Sequence, residues 1–280
     1  MVGPKAKRRA LAAIRERFGL SARQSCRLLG LAVSTYHYRS RRSRDDEPLK
    51  AKILEAISRK PSWGRPMVTW MLRERMGLKD NHKRIGRIYR EMGLQVSKRR
   101  KTRKISRQPL LLEVPSRPNE LWAMDFVQDS FATGRRFRIL TIKDLCTHEA
   151  LSCHVDLSIT GERVAEVLGQ LKLRGRSPRA IVCDNGSEYV SKAMDQWAYR
   201  NKVELKFIQP GKPTQNAFIE SFNGVFRREC LNQHWFENLD QAKEIIEKWR
   251  IEYNTERPTR PLGKKTPDEF AKEQGLVLHA

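Results

Sequence analysis

The stretch from residue 180 to residue 227 constrains the chain most. It opens on an apolar run, Ala180-Ile181-Val182-Cys183, which breaks at Asp184-Asn185-Gly186. Such a run reads as a buried strand that ends in a carboxylate and is cut off by an Asn-Gly turn. In open α/β sheets, that end of a strand is where ligands bind. The stretch closes on Lys212-Pro213-Thr214-Gln215-Asn216-Ala217-Phe218-Ile219-Glu220-Ser221-Phe222-Asn223-Gly224, a loop running into a helix. At 3.6 residues per turn, Asn216, Glu220, Asn223 and Arg227 share one face, while Phe218, Ile219, Phe222, Val225 and Phe226 pack inward.

A third carboxylate lies upstream, in Leu121-Trp122-Ala123-Met124-Asp125-Phe126-Val127. The run reads as a strand buried on both faces. Asp125 is its only charge, and a charge there is costly unless it is paired or binds a cation. Taken singly, each acid has a plainer role. Asp184 alone is a turn residue and Glu220 alone a surface charge. Glu188 lies across the turn from Asp184, and Asp129 and Asp144 are further acids near strand ends.

The ordered set Asp125, Asp184, Glu220 resembles the catalytic core of DDE transposases and retroviral integrases. More narrowly, the chain resembles the B-frame product of IS-three-type bacterial insertion-sequence transposases. The marks are Trp122-x-x-Asp125-Phe126, Asp184-Asn185-Gly186-x-Glu188, the string from Gly211 to Gly224, Tyr253-Asn254, Arg257-Pro258, Leu262-Gly263 and Thr266-Pro267. The resemblance implies an α/β, ribonuclease-H-like catalytic core, a mixed sheet flanked by helices, preceded by small all-α helix-turn-helix units. It implies Asp125, Asp184 and Glu220 as catalytic residues and as ligands of two Mg²⁺ ions, with Mn²⁺ as a substitute. Two hard cations about 3.5–4 Å apart stabilise both the entering and the leaving oxygen of a phosphodiester, and such cations take oxygen ligands. The implied reaction is strand cleavage by water and strand transfer by the freed 3′-OH, at element ends and target DNA. A multimer on DNA is implied, as is an upstream-frame product or fusion.

Charge supports a nucleic-acid partner independently. Of the net +24, residues 1–115 carry +22 and residues 116–280 carry +2. A strongly cationic half joined to a near-neutral half points to a polyanion held by the first. No run of 18 apolar residues occurs, so no membrane span is expected. The basic N-terminus lacks the apolar core of a signal peptide. A bacterial cytoplasmic, nucleoid-associated protein is the expectation. The five cysteines are scattered and odd in number; reduced thiols are expected, and no zinc motif is present.

Five segments follow. Residues 1–44 read as a helix-turn-helix-like unit: Leu11, Ile14 and Phe18 at helical spacing, Ser21 capping a second helix, a break at Gly30, and Ser34 capping a third. Residues 45–96 read as a second such unit. Pro66 starts its middle helix, and Asp80 or Asn81 opens a helix with Ile85, Ile88, Tyr89 and Met92 inward and Lys83, Arg84, Arg87 and Arg90 outward, as on a recognition helix. Residues 97–118 form a basic, proline-containing linker in which Lys98, Arg99, Arg100 and Lys101 could track a DNA backbone. Residues 119–235 form the core: strands at 121–130, 137–144 and 149–155, a helix capped by Ser158 or Thr160, the strand to Asp184, a helix near 190–201, a strand at 203–208, and the Glu220 helix. Lys212, Asn216 and Arg227 are the expected DNA contacts beside the acids. Residues 236–280 form a helical extension, with a capping box at Thr266-Pro267-Asp268-Glu269. Two other functions fit the same residues: a DNA-binding regulator or inactive element product that uses only the helix-turn-helix units, and a structure-specific nuclease of the same fold.

Overall fold

The computed structural model describes residues 4–38, 45–95, 115–209 and 217–276. Its contacts divide the chain into two compact units, residues 1–52 and 53–280.

The first unit holds α1 (Pro4–Phe18), α2 (Ala22–Leu28) and α3 (Val33–His37). Leu11 and Cys26 are buried between them. Ser21 caps α2 in a full capping box with Gln24, which satisfies two otherwise orphaned N–H groups. Gly30, at φ +56, turns the chain toward α3. The expected cap at Ser34 is displaced. Ala32 is already extended at the N-cap position, and Tyr36 N donates to Ala32 O, so Ser34 lies inside the first turn.

The helix α4 (Glu47–Arg59) runs across the division. In the second unit, α5 (Arg65–Trp70) starts with proline in its first turn. It passes into a π-helical turn, Met71–Arg75, that the sequence does not announce. The chain leaves that turn at Gly77 (φ +66). The helix α6 (His82–Glu91) is capped by Asn81, whose side chain accepts from Lys83 N, and buries Ile85, Ile88 and Tyr89.

The core sheet has five strands: β1 (Leu121–Ser130), β2 (Arg136–Asp144), β3 (Ala150–Asp156), β4 (Ala180–Cys183) and β5 (Glu204–Phe207), in the order β3-β2-β1-β4-β5. The first three form an antiparallel meander; β1-β4-β5 is parallel. The helices α7 (Gly161–Leu173) and α8 (Lys192–Asn201) lie in the crossovers, and α9 (Ala217–Glu229), α10 (Leu239–Glu256) and α11 (Pro267–Glu273) follow. Thr160 caps α7, and Thr266 caps α11 in a capping box. Successive strand residues face opposite sides, so the sheet carries two cores. One holds Val127, Phe137 and Ile139 against Phe222, Phe226, Ile246 and Trp249. The other holds Trp122, Met124, Leu140 and Ile142 against Val164, Leu168 and Met194. Both faces of β1 and β2 are covered, which is why those strands read as nearly continuous apolar runs.

An aromatic cluster locks α9 to α10: ring centroids are 4.8 Å apart for Phe226 and Trp249, and 5.1 Å for Phe222 and Tyr253. The half-buried Arg257 adds two bonds of 2.9 Å to Glu229. All five cysteines are free and buried.

Candidate active site

The register of the parallel pair brings two carboxylates together. Leu121, Trp122 and Ala123 pair with Ala180, Ile181 and Val182. Two residues further along each strand lie Asp125 and Asp184. Asp125 stays on β1, whereas Asp184 has just left β4 at its C-terminal end, where Asn185 and Gly186 turn the chain. The Asp184 carboxylate accepts from Gly186 N at 2.9 Å, and Asn185 Nδ2 donates to Ile208 O at the end of β5. Glu220 is exposed in the first turn of α9, and its neighbours Ile219 and Phe222 anchor that helix in the core.

Electrostatics tie the three acids into one site. Burial raises the pKa of Asp125 above the ordinary carboxylate value, and the charges of Asp184 and Glu220 raise it further. Hydrogen bonds from Phe126 N at 2.8 Å and from Asn223 Nδ2 at 2.7 Å work the other way. Asp184 and Glu220 thus each press on Asp125 with like charge, a condition that a cation relieves. Among the described residues, no three His, Cys, Asp or Glu side chains are gathered closely enough to form a ready metal cage. The donor set suits a hard divalent ion in charge and in oxygen chemistry.

Asn223 was legible as part of the polar stripe of α9, but its task was not. Its Oδ1 accepts from Thr141 Oγ1 at 3.0 Å, and the same hydroxyl lies 3.0 Å from Asp125 O. This fixes the amide with its NH₂ toward Asp125 Oδ2. Thr141 lies directly across β2 from Asp125 and is fully buried. A polar residue between Leu140 and Ile142 in a buried strand was the available signal, since buried hydroxyls need partners.

The neighbouring acids have other work. Glu188 is bonded to Arg138, which also lies 4.2 Å from the Phe126 ring centroid. Burial opposes the Glu188 charge, but the bond to Arg138, the Arg138 charge, the backbone N–H of Glu188 and the Ser187 hydroxyl together hold the carboxyl below its ordinary value. Asp144 is fully buried and accepts from Asn119 N, Cys146 N and Thr147 N, which makes it a turn residue. Asp129 accepts from Ser130 N.

Arg227 is exposed, and its Nη2 donates to Gln128 O at 2.9 Å, tying the last turn of α9 to β1. On α6, Lys83, Arg87 and Arg90 are exposed, and Arg84 is partly covered. Arg84 is paired with Asp80 at 2.6 Å and Arg87 with Glu91 at 2.9 Å, so part of that face is neutralised within the helix. Lys98, Arg99, Arg100, Lys101, Lys212 and Asn216 lie outside the described residues. No helix among the described residues is long and apolar enough to cross a membrane.

Family models described as an integrase core domain match residues 115–213 and 201–267. A helix-turn-helix-like domain matches 43–102, and an antitoxin Xre-like helix-turn-helix domain matches 4–59. The chain is 45% identical to the uncharacterized 31.7 kDa protein of insertion element IS407 from Burkholderia multivorans, over 96% of this chain and 97% of that one. It is 39% identical to the uncharacterized 39.2 kDa protein of insertion element IS476 from Xanthomonas euvesicatoria, over 96% and 78%. It is 27% identical to the transposase InsD of insertion element IS2D from Escherichia coli, over 84% and 82%. Among solved structures, a chain of the simian T-cell lymphotropic virus intasome, determined in complex with PP2A regulatory subunit B56 gamma, aligns at a TM-score of 0.52 and 15% identity, over 78% of this chain and 73% of that one. The core is therefore ribonuclease-H-like in fold, with helix-turn-helix units ahead of it.

Proposed function

Because this chain belongs to the insertion-sequence transposases built on an integrase catalytic core, we propose that it binds the ends of a mobile DNA element and catalyses divalent-metal-dependent strand cleavage and strand transfer. The observation that carries this reading is the like-charge crowding of Asp125 by Asp184 and Glu220 on three separate elements. In this reading Asp125, Asp184 and Glu220 hold two Mg²⁺ ions, with Mn²⁺ as a substitute. Bound there, the ions would supply Lewis-acid stabilisation of the entering and leaving oxygens of the phosphodiester.

The remaining tasks fall to the chain itself. Asn223 holds one oxygen of Asp125, and Phe126 N holds the other. Gly186 N steadies Asp184, and Arg138 pairs with Glu188. Phe126 and Tyr189, stacked at 5.1 Å, close the site from behind. No thiol serves as nucleophile, since burial pushes the Cys183 thiol beside Asp184 up to about 12, and Asp184 pushes in the same direction. The attacking groups are water and then a DNA 3′-OH.

The proposed organisation has helix-turn-helix units over 1–44 and 45–96, a basic linker over 97–118, the catalytic core over 119–235 and a helical extension over 236–280. Lys83, Arg84, Arg87 and Arg90 meet DNA from α6, Lys98 to Lys101 from the linker, and Lys212, Asn216 and Arg227 beside the acids. The working form is a multimer on element ends and target DNA in the bacterial cytoplasm. An upstream-frame product or fusion is a further partner. The test is a short duplex carrying the element's own terminal repeat: 3′-end cleavage and joining should appear with Mg²⁺ and vanish with a chelator. Absence of both products with Mg²⁺ and Mn²⁺ alike would sink the reading.

Asn223→Ala should slow cleavage about tenfold to a hundredfold, the worth of one hydrogen bond to a charged group. The bond it removes lowers the pKa of Asp125. Without it, Asp125 holds its proton to higher pH, and the acid limb of the pH–rate profile moves upward. A slower enzyme with an unmoved acid limb would count against this role for Asn223.

A further inference from the structure

Past the carboxylates, β1 and β2 leave the rest of the sheet behind. The pairing of β1 with β4 ends at Ala123 and Val182, and that of β2 with β3 begins only at Arg138 and Asp156. Beyond that level only Asp129–Phe137 and Ser130–Arg136 remain paired, and they form a two-stranded ribbon. The ribbon is held rigidly on one side. Phe131 stacks on Phe137 at 4.7 Å, Phe137 meets Phe236 edge-on at 5.5 Å, and Ala132 N donates to Phe236 O at 2.8 Å.

The far end of this ribbon carries groups that the fold does not use. Arg135 and Arg136 are exposed, and neither side chain forms an ion pair or hydrogen bond among the described residues. Trp235 immediately precedes Phe236, whose carbonyl holds Ala132 of the hairpin, and it is 86% exposed. Two exposed guanidinium groups on a braced hairpin, with an exposed indole next to the bracing Phe236 in sequence, have the composition of a nucleic-acid contact.

We propose that this hairpin tip, through Arg135, Arg136 and Trp235, is a second DNA contact that grips the duplex flanking the cut site. The inference rests on the reading of the acids as the cutting site. Phe131, just past the end of β1, lies six residues beyond Asp125. At the rise of a strand this is about 20 Å, and about six base pairs of duplex at 3.4 Å each. The two arginines take phosphates, and the indole lies against the deoxyribose or base edge of the same strand. The charge is complementary to a polyanion, and the tip lies beyond Gln128, whose carbonyl holds Arg227.

The test uses the full chain in Ca²⁺, so that binding is read without turnover, on terminal-repeat duplexes with flanks of graded length. Hydroxyl-radical protection by the wild-type protein should extend about six base pairs beyond the scissile phosphate. R135A/R136A should lose that outer protection and bind about tenfold more weakly, and its slope of log K against log salt should fall by about two. R135K/R136K should restore the slope, and W235A should weaken the outer protection alone. Thermal unfolding should be unchanged in all of them, because the side chains are exposed. An unchanged footprint and slope in R135A/R136A would overturn the proposal, even if the same protein still cuts DNA. A change in sedimentation without a change in footprint would overturn it in favour of a contact between copies of the chain. A wild-type protein that holds no duplex at all would bring down the transposase reading and this proposal with it.

Discussion

Asp125→Asn, Asp184→Asn and Glu220→Gln are each expected to lower cleavage and joining by about a thousandfold or more, with terminal-repeat binding left near normal. Each substitution keeps size and shape and removes one negative charge. The proposed site needs all three charges to neutralise its cations, and removing even one group that stabilises the transition state costs about a hundredfold to a thousandfold. The losses should not add in double variants, since the three groups act as one unit. Stability separates this role from a structural one. Burial and like charge raise the pKa of Asp125, so its charged form costs folding free energy at neutral pH. The neutral amide relieves that cost while losing one acceptor, so Asp125→Asn should unfold within about 1 kcal/mol of the wild type. Glu188→Gln is the control. It breaks a partly exposed pair with Arg138 and should retain most activity. Should Glu188→Gln fail to cut DNA while Glu220→Gln cuts normally, the acids have been assigned to the wrong cluster.

The largest effect on folding is expected at Glu149. Its carboxylate is buried, bonded to Arg176 and to Thr147 Oγ1 at 2.8 Å, and it joins the β2–β3 turn to the loop ahead of β4. Arg176 is itself buried, and its Nε and Nη1 have no other partner among the described residues. Glu149→Ala would leave a guanidinium in the interior that cannot shed its charge. The cost should be about 3–5 kcal/mol, a large part of the stability of an ordinary domain. Arg176→Met should cost less. Burial raises the pKa of Glu149 already, so the carboxyl can take up a proton and stay buried as a neutral acid. Removing both partners should be nearly neutral. Urea unfolding of the three variants checks this ordering. Equal losses from the two single variants, or a double variant worse than either, would contradict it.

The strand and helix pattern of the core was open to reading because β1 and β2 are covered on both faces and α7, α8, α10 and α11 each open with a side-chain cap. Asp125 and Asp184 stood out for the same reason: a carboxylate in or at the end of an apolar run needs a purpose. What lay out of reach depended on pairing across the sheet. Thr141 is 16 residues from Asp125 in sequence, and only the antiparallel register sets it opposite. Glu149 and Arg176 meet across two loops. The neutralisation of α6 was within reach, since Asp80–Arg84 and Arg87–Glu91 are spaced at i, i+4. The outward face of that helix drew attention to its cations alone. The π-helical turn at Met71–Arg75 leaves no mark in composition, because it alters which carbonyl each N–H reaches and not which residues face inward. Ser34 has the chemistry of a cap, but the backbone makes its turn at Ala32.

Phe222 and Phe226 cannot reach their final packing until Trp249 and Tyr253 have been synthesised. Chains fold as they emerge, N-terminal parts first. The helices up to Glu91 pack on one another close in sequence, although Lys60 and Arg75 also pair with Glu252 and Glu269 near the other end of the chain, whereas the sheet and its last helices close over long separations. On the ribosome, the local packing of the cationic helices therefore precedes the anchoring of the helix that carries Glu220 and Asn223. Birth order alone gives each new molecule an interval with its basic surface formed and its cutting residues not yet assembled.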